Sequence, residues 1–208
     1  MKPPPGHRPP AADLPADAVA RLTAYPPGDA AQAAARTEFL GFLAAHPDGV
    51  WRSCRPGHLT ASALVLDPGG ERVLLTLHAK VRRWMQTGGH CEPTDTSLAG
   101  AALREATEET GVAGLVLDPV PVALDRHPAP CRPGADHLDV QFLAVAPAGA
   151  APRVSAESVD VRWWPVAALP EDTDAGLRRL VRRAVVVRAG QSASSPSASP
   201  EALATPSR

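Results

Sequence analysis

Glu105, Glu108 and Glu109 stand at positions i, i+3 and i+4 of one segment. If that segment is helical, the three carboxylates share a face, one turn apart. Two such charges 6 Å apart repel by roughly 3 kcal/mol at an effective dielectric near 20, before solvent and salt reduce the cost. A divalent cation offsets this repulsion. Magnesium suits the arrangement because it takes oxygen ligands, keeps several waters and is shared between a few carboxylates and substrate phosphates. Taken alone, the pattern also fits an ordinary solvated helix face, so the surrounding residues must separate the two readings.

Arg104 precedes Glu108 by four residues. An exposed ion pair at that spacing stabilises a helix by only about 0.3–0.5 kcal/mol, so its larger use is to hold a carboxylate in place. Ala101, Ala102, Leu103, Ala106 and Val112 supply an apolar face on which the helix can dock. Gly111 closes the helix two residues after Glu109, as a residue free to take positive φ. The acidic cluster therefore lies at the helix C-terminus, where the helix dipole opposes negative charge. Acids kept at that end serve something other than helix stability.

Residues 104–112, REATEETGV, match R-E-U-x-E-E-x-G-U, the second half of the Nudix box, where U is aliphatic. Gly88-Gly89-His90 resembles the glycine-rich strand end that opens the box. One departure stands out. With five residues between, Gly89 is followed by Asp95 where the pattern has Glu, and eight residues rather than seven separate Asp95 from Arg104. Glu92 is a second acid in this longer loop. The resemblance extends over about residues 55–185, through the segment 59–89 and the late VRWWPV at 161–166.

This resemblance implies hydrolysis of a nucleoside diphosphate linked to another moiety. Water attacks phosphorus while bound metal neutralises phosphate charge. By the same analogy Glu105, Glu108 and Glu109 bind Mg2+ (or Mn2+), Glu108 and Glu109 take part in catalysis, and Arg104 orients the cluster. Gly88 and Gly89 allow close approach to substrate or a tight strand exit. The general base is left open, since in this family it is not always in the box. The implied partner is a small nucleoside diphosphate derivative.

Further candidates for substrate contact carry competing structural readings. Trp84 suits either stacking on a base or core packing. His137 and Asp139 alternate on a strand and so share a face that could reach the site. Glu157 is a candidate distal acid, and Asp136 is no better supported. Arg82 and Arg83 fit phosphate contacts or a solvated turn. Arg178, Arg179, Arg182 and Arg183 form a basic side of a late helix, read as a solvated face. His90 and Cys91 are poor joint metal ligands, because adjacent residues project to different faces.

These residues need a scaffold. Apolar periodicity predicts a first short helix carrying Leu14, Val19 and Leu22, and a second helix over 30–45 with Phe39, Leu40, Phe42 and Leu43. Strands are expected over 59–66 and 72–78, joined by Asp67-Pro68-Gly69-Gly70 as a hairpin. The box helix follows over about 97–110. Strand material returns at 115–124, 137–146 and 159–164, before a closing helix over 174–188. Strands interleaved with helices give an α/β class; the resemblance narrows it to an α/β/α sandwich with a mixed sheet plus an N-terminal helical extension. The expected division is a disordered N-terminus at 1–12, the helical extension at 13–48, the Nudix domain at 49–189 and a disordered tail at 190–208.

Bulk properties exclude several classes. The 208 residues carry a net charge of −1, and 44% are hydrophobic. No charge excess favours stable nucleic-acid binding. No run approaches the length of a membrane span. Cys54, Cys91 and Cys131 form neither a disulfide framework nor a zinc motif, so a cytoplasmic location is expected. A homodimer is compatible with the sequence. Two other functions share the fold: an isomerase of the isopentenyl diphosphate type, for which Cys91 is the relevant thiol, and a non-catalytic nucleotide- or partner-binding module. The complete glutamate set favours hydrolysis over both.

Overall fold

The computed structural model describes residues 13–129, 132–156 and 158–194. The expected disordered segment 1–12, the tail beyond 194, Cys131 and Glu157 lie outside these residues. Two helices, α1 (Leu14–Ala24) and α2 (Ala30–Ala45), come first. Strands β1 (Gly57–Leu66), β2 (Arg72–His78), β3 (Trp84–Met85) and β4 (Thr87–His90) follow. Next are α3 (Leu98–Thr110), β5 (Val116–Leu117), β6 (Ala123–Pro128), β7 (Asp136–Val145), β8 (Ser158–Pro165) and α4 (Ala175–Ser194).

The strands form one mixed, curled sheet flanked by helices, as the α/β/α expectation requires. β1 is its spine. It pairs in parallel with β7 along ten residues, from Gly57↔Asp136 to Leu66↔Val145. Antiparallel to it run β2 at Val65↔Leu74 and β4 at Thr60↔His90 through Ala63↔Thr87. Because one strand exchanges partners along its length, β2 diverges toward β8 while β4 stays against β1. The expected hairpin is present, and Asp67 closes it by accepting from the amides of Glu71 (2.8 Å) and Arg72 (2.9 Å).

Every residue of β1 is buried, since both faces of the sheet are covered. The period of two then sorts its side chains. Leu59, Ala61, Ala63 and Val65 join Leu138, Val140 and Phe142 of β7 in a core beneath α1, α2 and α3. Leu64 and Leu66 join Leu143, Trp84 and Val73 in a second core beneath α4. Each large aliphatic side chain so buried contributes roughly 1.5–3 kcal/mol.

The N-terminal helices pack into the first core through Leu14, Leu22, Phe39 and Leu43. α1 also touches the box helix by a specific bond: the carboxylate of Asp17 accepts from the amide of Leu98 at 2.8 Å, capping α3 from outside. Gln32 of α2 satisfies both the N–H (2.7 Å) and the C=O (3.0 Å) of Leu124 on β6. α4 runs to Ser194, past the expected start of the tail at 190. Its alanines and the Gln191 amide, which bonds Asp118, continue a helix where composition alone reads as loop. The basic side of α4 is tied down rather than only solvated. Arg183 pairs with Asp29, Arg179 lies 3.6 Å from Asp125, and Arg178 donates to the Pro170 carbonyl.

Candidate active site

The box helix forms where its local signals place it. Ser97 is the N-cap and accepts from Gly100 N at 3.0 Å, while Gly111 takes the left-handed conformation at φ 64°. Leu98, Ala101, Ala102 and Ala106 bury one face against the sheet. This leaves Glu105, Glu108 and Glu109 at the junction between α3 and the end of β4.

The three carboxylates have distinct surroundings. Glu109 is buried; its Oε1 accepts from Gly88 N (2.9 Å) and its Oε2 from the Thr76 hydroxyl (3.3 Å). Glu105 is mostly covered and lies against Gly89. The exposed Glu108 accepts from Arg104 Nη1 at 3.1 Å, the i,i+4 pair expected from the sequence.

Arg104 connects the site. Its Nε and Nη2 grip Asp95 in a fork at 3.1 and 3.0 Å. Nη1 also donates to Glu105 at 3.0 Å, and Nη2 to the His90 carbonyl at 3.1 Å. Surrounded by these acceptors, its guanidinium is held charged well above the ordinary arginine range, first by the Asp95 hydrogen bonds. Burial works against charge on Asp95, but Arg104 and the Glu92 amide outweigh it and keep the carboxyl below its usual range. The odd loop is thereby explained. Despite the extra residue, Asp95 reaches Arg104 and positions it. Glu92 stands further off, at 4.0 Å.

Both glycines are required by close packing. A Cβ on Gly89 would lie 2.6 Å from Glu105 Oε1, and one on Gly88 would collide with the Ser62 side chain and backbone. Gly89, Glu105, His90, Cys91, Glu92, Pro93 and Arg52 line a cleft of about 390 Å³. Arg52, in the turn before β1, carried no recognisable pattern and brings a positive charge to this cleft. The carboxylates of the mostly covered Glu105 and the exposed Glu108, beside the glycine backbone, are hard oxygen donors of the kind that suit magnesium or manganese.

The other sequence candidates lie elsewhere. Trp84 is 8% exposed and packs edge-on against Trp164 in the core beneath α4, so its role is packing rather than stacking on a base. His137 and Asp139 do share a face, but it is the face away from α3, because their alternate neighbours Leu138 and Val140 take the α3 side. Asp139 is buried and accepts from Thr60 (2.9 Å), Ser62 (2.7 Å) and Gln141 (3.0 Å). Asp136 pairs with Arg126 in an exposed bridge. Arg82 and Arg83 are exposed in the turn between β2 and β3, Arg82 at φ 57°. Cys91 is buried in the core under α3, and burial pushes its thiol up to about 12.

A family model of the NUDIX domain matches residues 56–184, more than half of the chain. The chain belongs to the Nudix family. The pyrophosphohydrolase class expected from the box agrees with this membership. Solved structures with the same fold include a NUDIX-family hydrolase from Clostridium perfringens (22% identity, TM-score 0.52, covering 62% of this chain and 97% of that one). An Ap4A hydrolase from C. elegans is similar at 19% identity and TM-score 0.54, covering 64% of this chain and 98% of that one. The NUDIX domain of NrtR from Shewanella oneidensis, complexed with ADP ribose, is similar at 21% identity and TM-score 0.53, covering 69% and 95%. Comparison with curated proteins returns no match. Among the described residues, no helix is long and apolar enough to cross a membrane.

Proposed function

We propose that this Nudix protein hydrolyses the diphosphate linkage of a nucleoside diphosphate derivative, using a divalent cation held by Glu105, Glu108 and Glu109. The observation that carries the reading is Arg104. It grips Asp95 with two nitrogens and still donates to Glu105 and Glu108, an expensive arrangement for a purely structural helix. A bound divalent cation supplies charge neutralisation at the phosphates and makes water more acidic. The chain's own residues supply position. Asp95 and the His90 carbonyl fix the guanidinium, which in turn orients Glu105 and Glu108. The Gly88 amide and Thr76 hydroxyl fix Glu109. Arg52, on the cleft wall, faces where an anionic substrate would enter.

Cys91 gives the isomerase reading little support, since it borders the cleft but is almost wholly buried, and burial pushes its thiol up to about 12. The binding-module reading has no lost glutamate in its favour.

The test is phosphate release from a panel of nucleoside diphosphate derivatives with magnesium or manganese. Ap4A and ADP-ribose join the panel because similar structures are named for them. Metal-dependent release by the wild type, abolished in Glu108→Gln/Glu109→Gln, is the expected result. A folded wild-type protein that releases nothing across the panel overturns the proposal.

A further inference from the structure

β4, β1, β7 and β6 lie side by side, and each presents a histidine to the same face of the sheet. The register places His58 opposite His137 and His127 opposite His137, with His90 opposite Thr60, which shares the His58 face. The rings of His58 and His90 are 5.0 Å apart, those of His58 and His137 4.9 Å, and those of His90 and His137 5.3 Å. One ring nitrogen from each of His58, His90 and His137 falls within 4.8 Å of the other two.

His58 adds an independent observation. It is fully buried, yet neither of its ring nitrogens has a hydrogen-bond partner. An imidazole buried in that state is costly, and native interiors rarely tolerate one without reason. A ligand that accepts a nitrogen lone pair removes the cost. A neutral imidazole offers one ring nitrogen lone pair to a metal ion.

We propose that His58, His90 and His137 form a second metal site, selective for zinc or a similar borderline transition-metal ion and separate from the oxygen-donor site at the box helix. Three imidazoles are a poor set for magnesium or calcium, which prefer oxygen, and a good one for zinc. Zinc–nitrogen bonds of about 2.0–2.1 Å require nitrogens roughly 3.3 Å apart in a tetrahedral site. Ligand atoms now within 4.8 Å of one another would reach that spacing by rotation of the three rings on binding. His90 also lines the cleft, so the trio borders it through this residue. Arg52 on the same wall suits an anionic fourth ligand such as a phosphate oxygen. Beside the trio, His127 stands 5.3 Å from His137 and is held by Asp125 at 3.1 Å, a carboxylate–histidine pair at the rim of the site.

The site is tested on the full chain, stripped with chelator and then dialysed against zinc in the presence of excess magnesium. Bound zinc is measured by elemental analysis, and ligand type by the visible spectrum of the Co2+-substituted protein. About one equivalent of zinc should survive dialysis, with a four-coordinate Co2+ spectrum. Removing a ligand should cost more than the 10–100-fold typical of outer partners. His137→Gln and His58→Gln should therefore each weaken binding at least about 100-fold. His90→Gln is the safeguard against misfolding, because His90 is only partly buried; with an unchanged circular dichroism melt it should show the same loss. Glu108→Gln should retain zinc, which separates this site from the proposed magnesium site. Failure of the wild type to hold zinc over magnesium overturns the proposal. So does zinc that is lost in Glu108→Gln but kept in His90→Gln.

Discussion

Replacing each glycine of the Gly88-Gly89 pair by alanine should produce two different defects. At Gly89 the new Cβ would sit 2.6–2.8 Å from the Glu105 carboxylate, against an ordinary contact of 3.4 Å or more. The obstacle is the end of a flexible side chain, which can retreat by about 0.8 Å. Stability should fall by only about 1 kcal/mol, the low end of overpacking costs. Activity should fall further, because a misplacement near 1 Å at a reacting centre can cost on the order of 10²-fold. At Gly88 the new Cβ would meet the Ser62 side chain and backbone and the Ala61 carbonyl, with φ at 157°. Those atoms belong to the spine of the sheet and cannot retreat. Gly88→Ala should therefore cost about 2–3 kcal/mol, a drop in Tm of roughly 4–12 °C for a chain of this size. Thermal melts and kcat/KM on the best substrate of the panel measure both. Gly89→Ala with wild-type kcat/KM would refute the role given to the Glu105 approach. Equal destabilisation by the two variants would refute the assignment of their faces.

Glu109→Gln should lower turnover at least about 10²-fold while the circular dichroism melt stays close to wild type, since an amide oxygen still accepts from Gly88 or Thr76. Arg104→Lys keeps the charge but not the fork, so kcat should fall at least about tenfold with the protein folded; unchanged kcat would mean the Asp95 grip is dispensable. Trp84→Ala should destabilise by about 3–5 kcal/mol as a core truncation without raising KM at a temperature where it is folded. Asp67 gives a pH test. Burial opposes its charge, but the Arg72 and Glu71 amides and the Arg72 side chain outweigh it, so its folded pKa lies below the unfolded one. Its contribution is thus present above the unfolded value near 3.9 and is lost as pH falls through the folded value. Asp67→Asn should cost about 2 kcal/mol in urea melts at pH 7 and progressively less as pH falls below about 3.9.

Much of the fold was legible because its signals are local. The helix over 30–45, the hairpin around Asp67 and the box helix with its Gly111 stop all follow from periodicity and turn chemistry within a few residues. The end of α4 was not, because a Gln and two alanines near a Ser-rich stretch read as loop until a tertiary bond holds the helix on. In the candidate site, the role of Asp95 was obscured by counting. Its spacing departs from the box by one residue, yet the loop, closed by hydrogen bonds between Glu92 and Asp95, absorbs that residue and delivers the carboxylate to Arg104 all the same. The Asp17 cap on α3 joins residues 81 positions apart, and no pattern in either segment announces it. Arg52 was equally silent, a single cation in a turn.

The histidines show most clearly what sequence order hides. Adjacency separates His90 from Cys91 correctly: Cys91 enters the core under α3, while His90 faces the imidazoles of β1 and β7. That argument concerns neighbours along the chain and says nothing of neighbours across it. Register supplies the missing contacts, and it comes from the ten-residue parallel pairing of β1 with β7, in which His58 and His137 are one pair beside a run of buried apolar ones. The short strand β4 consequently divides two chemistries. Gly89 lets a carboxylate approach from the α3 side, where hard oxygen donors gather, and His90 closes a nitrogen-donor cluster on the other. Two cations of different character can then be sorted by ligand type rather than by affinity alone, since nitrogen and oxygen donors rank them differently. Because His90 and Glu105 line the same cleft, a substrate phosphate entering beside Arg52 would meet the edge of each donor set.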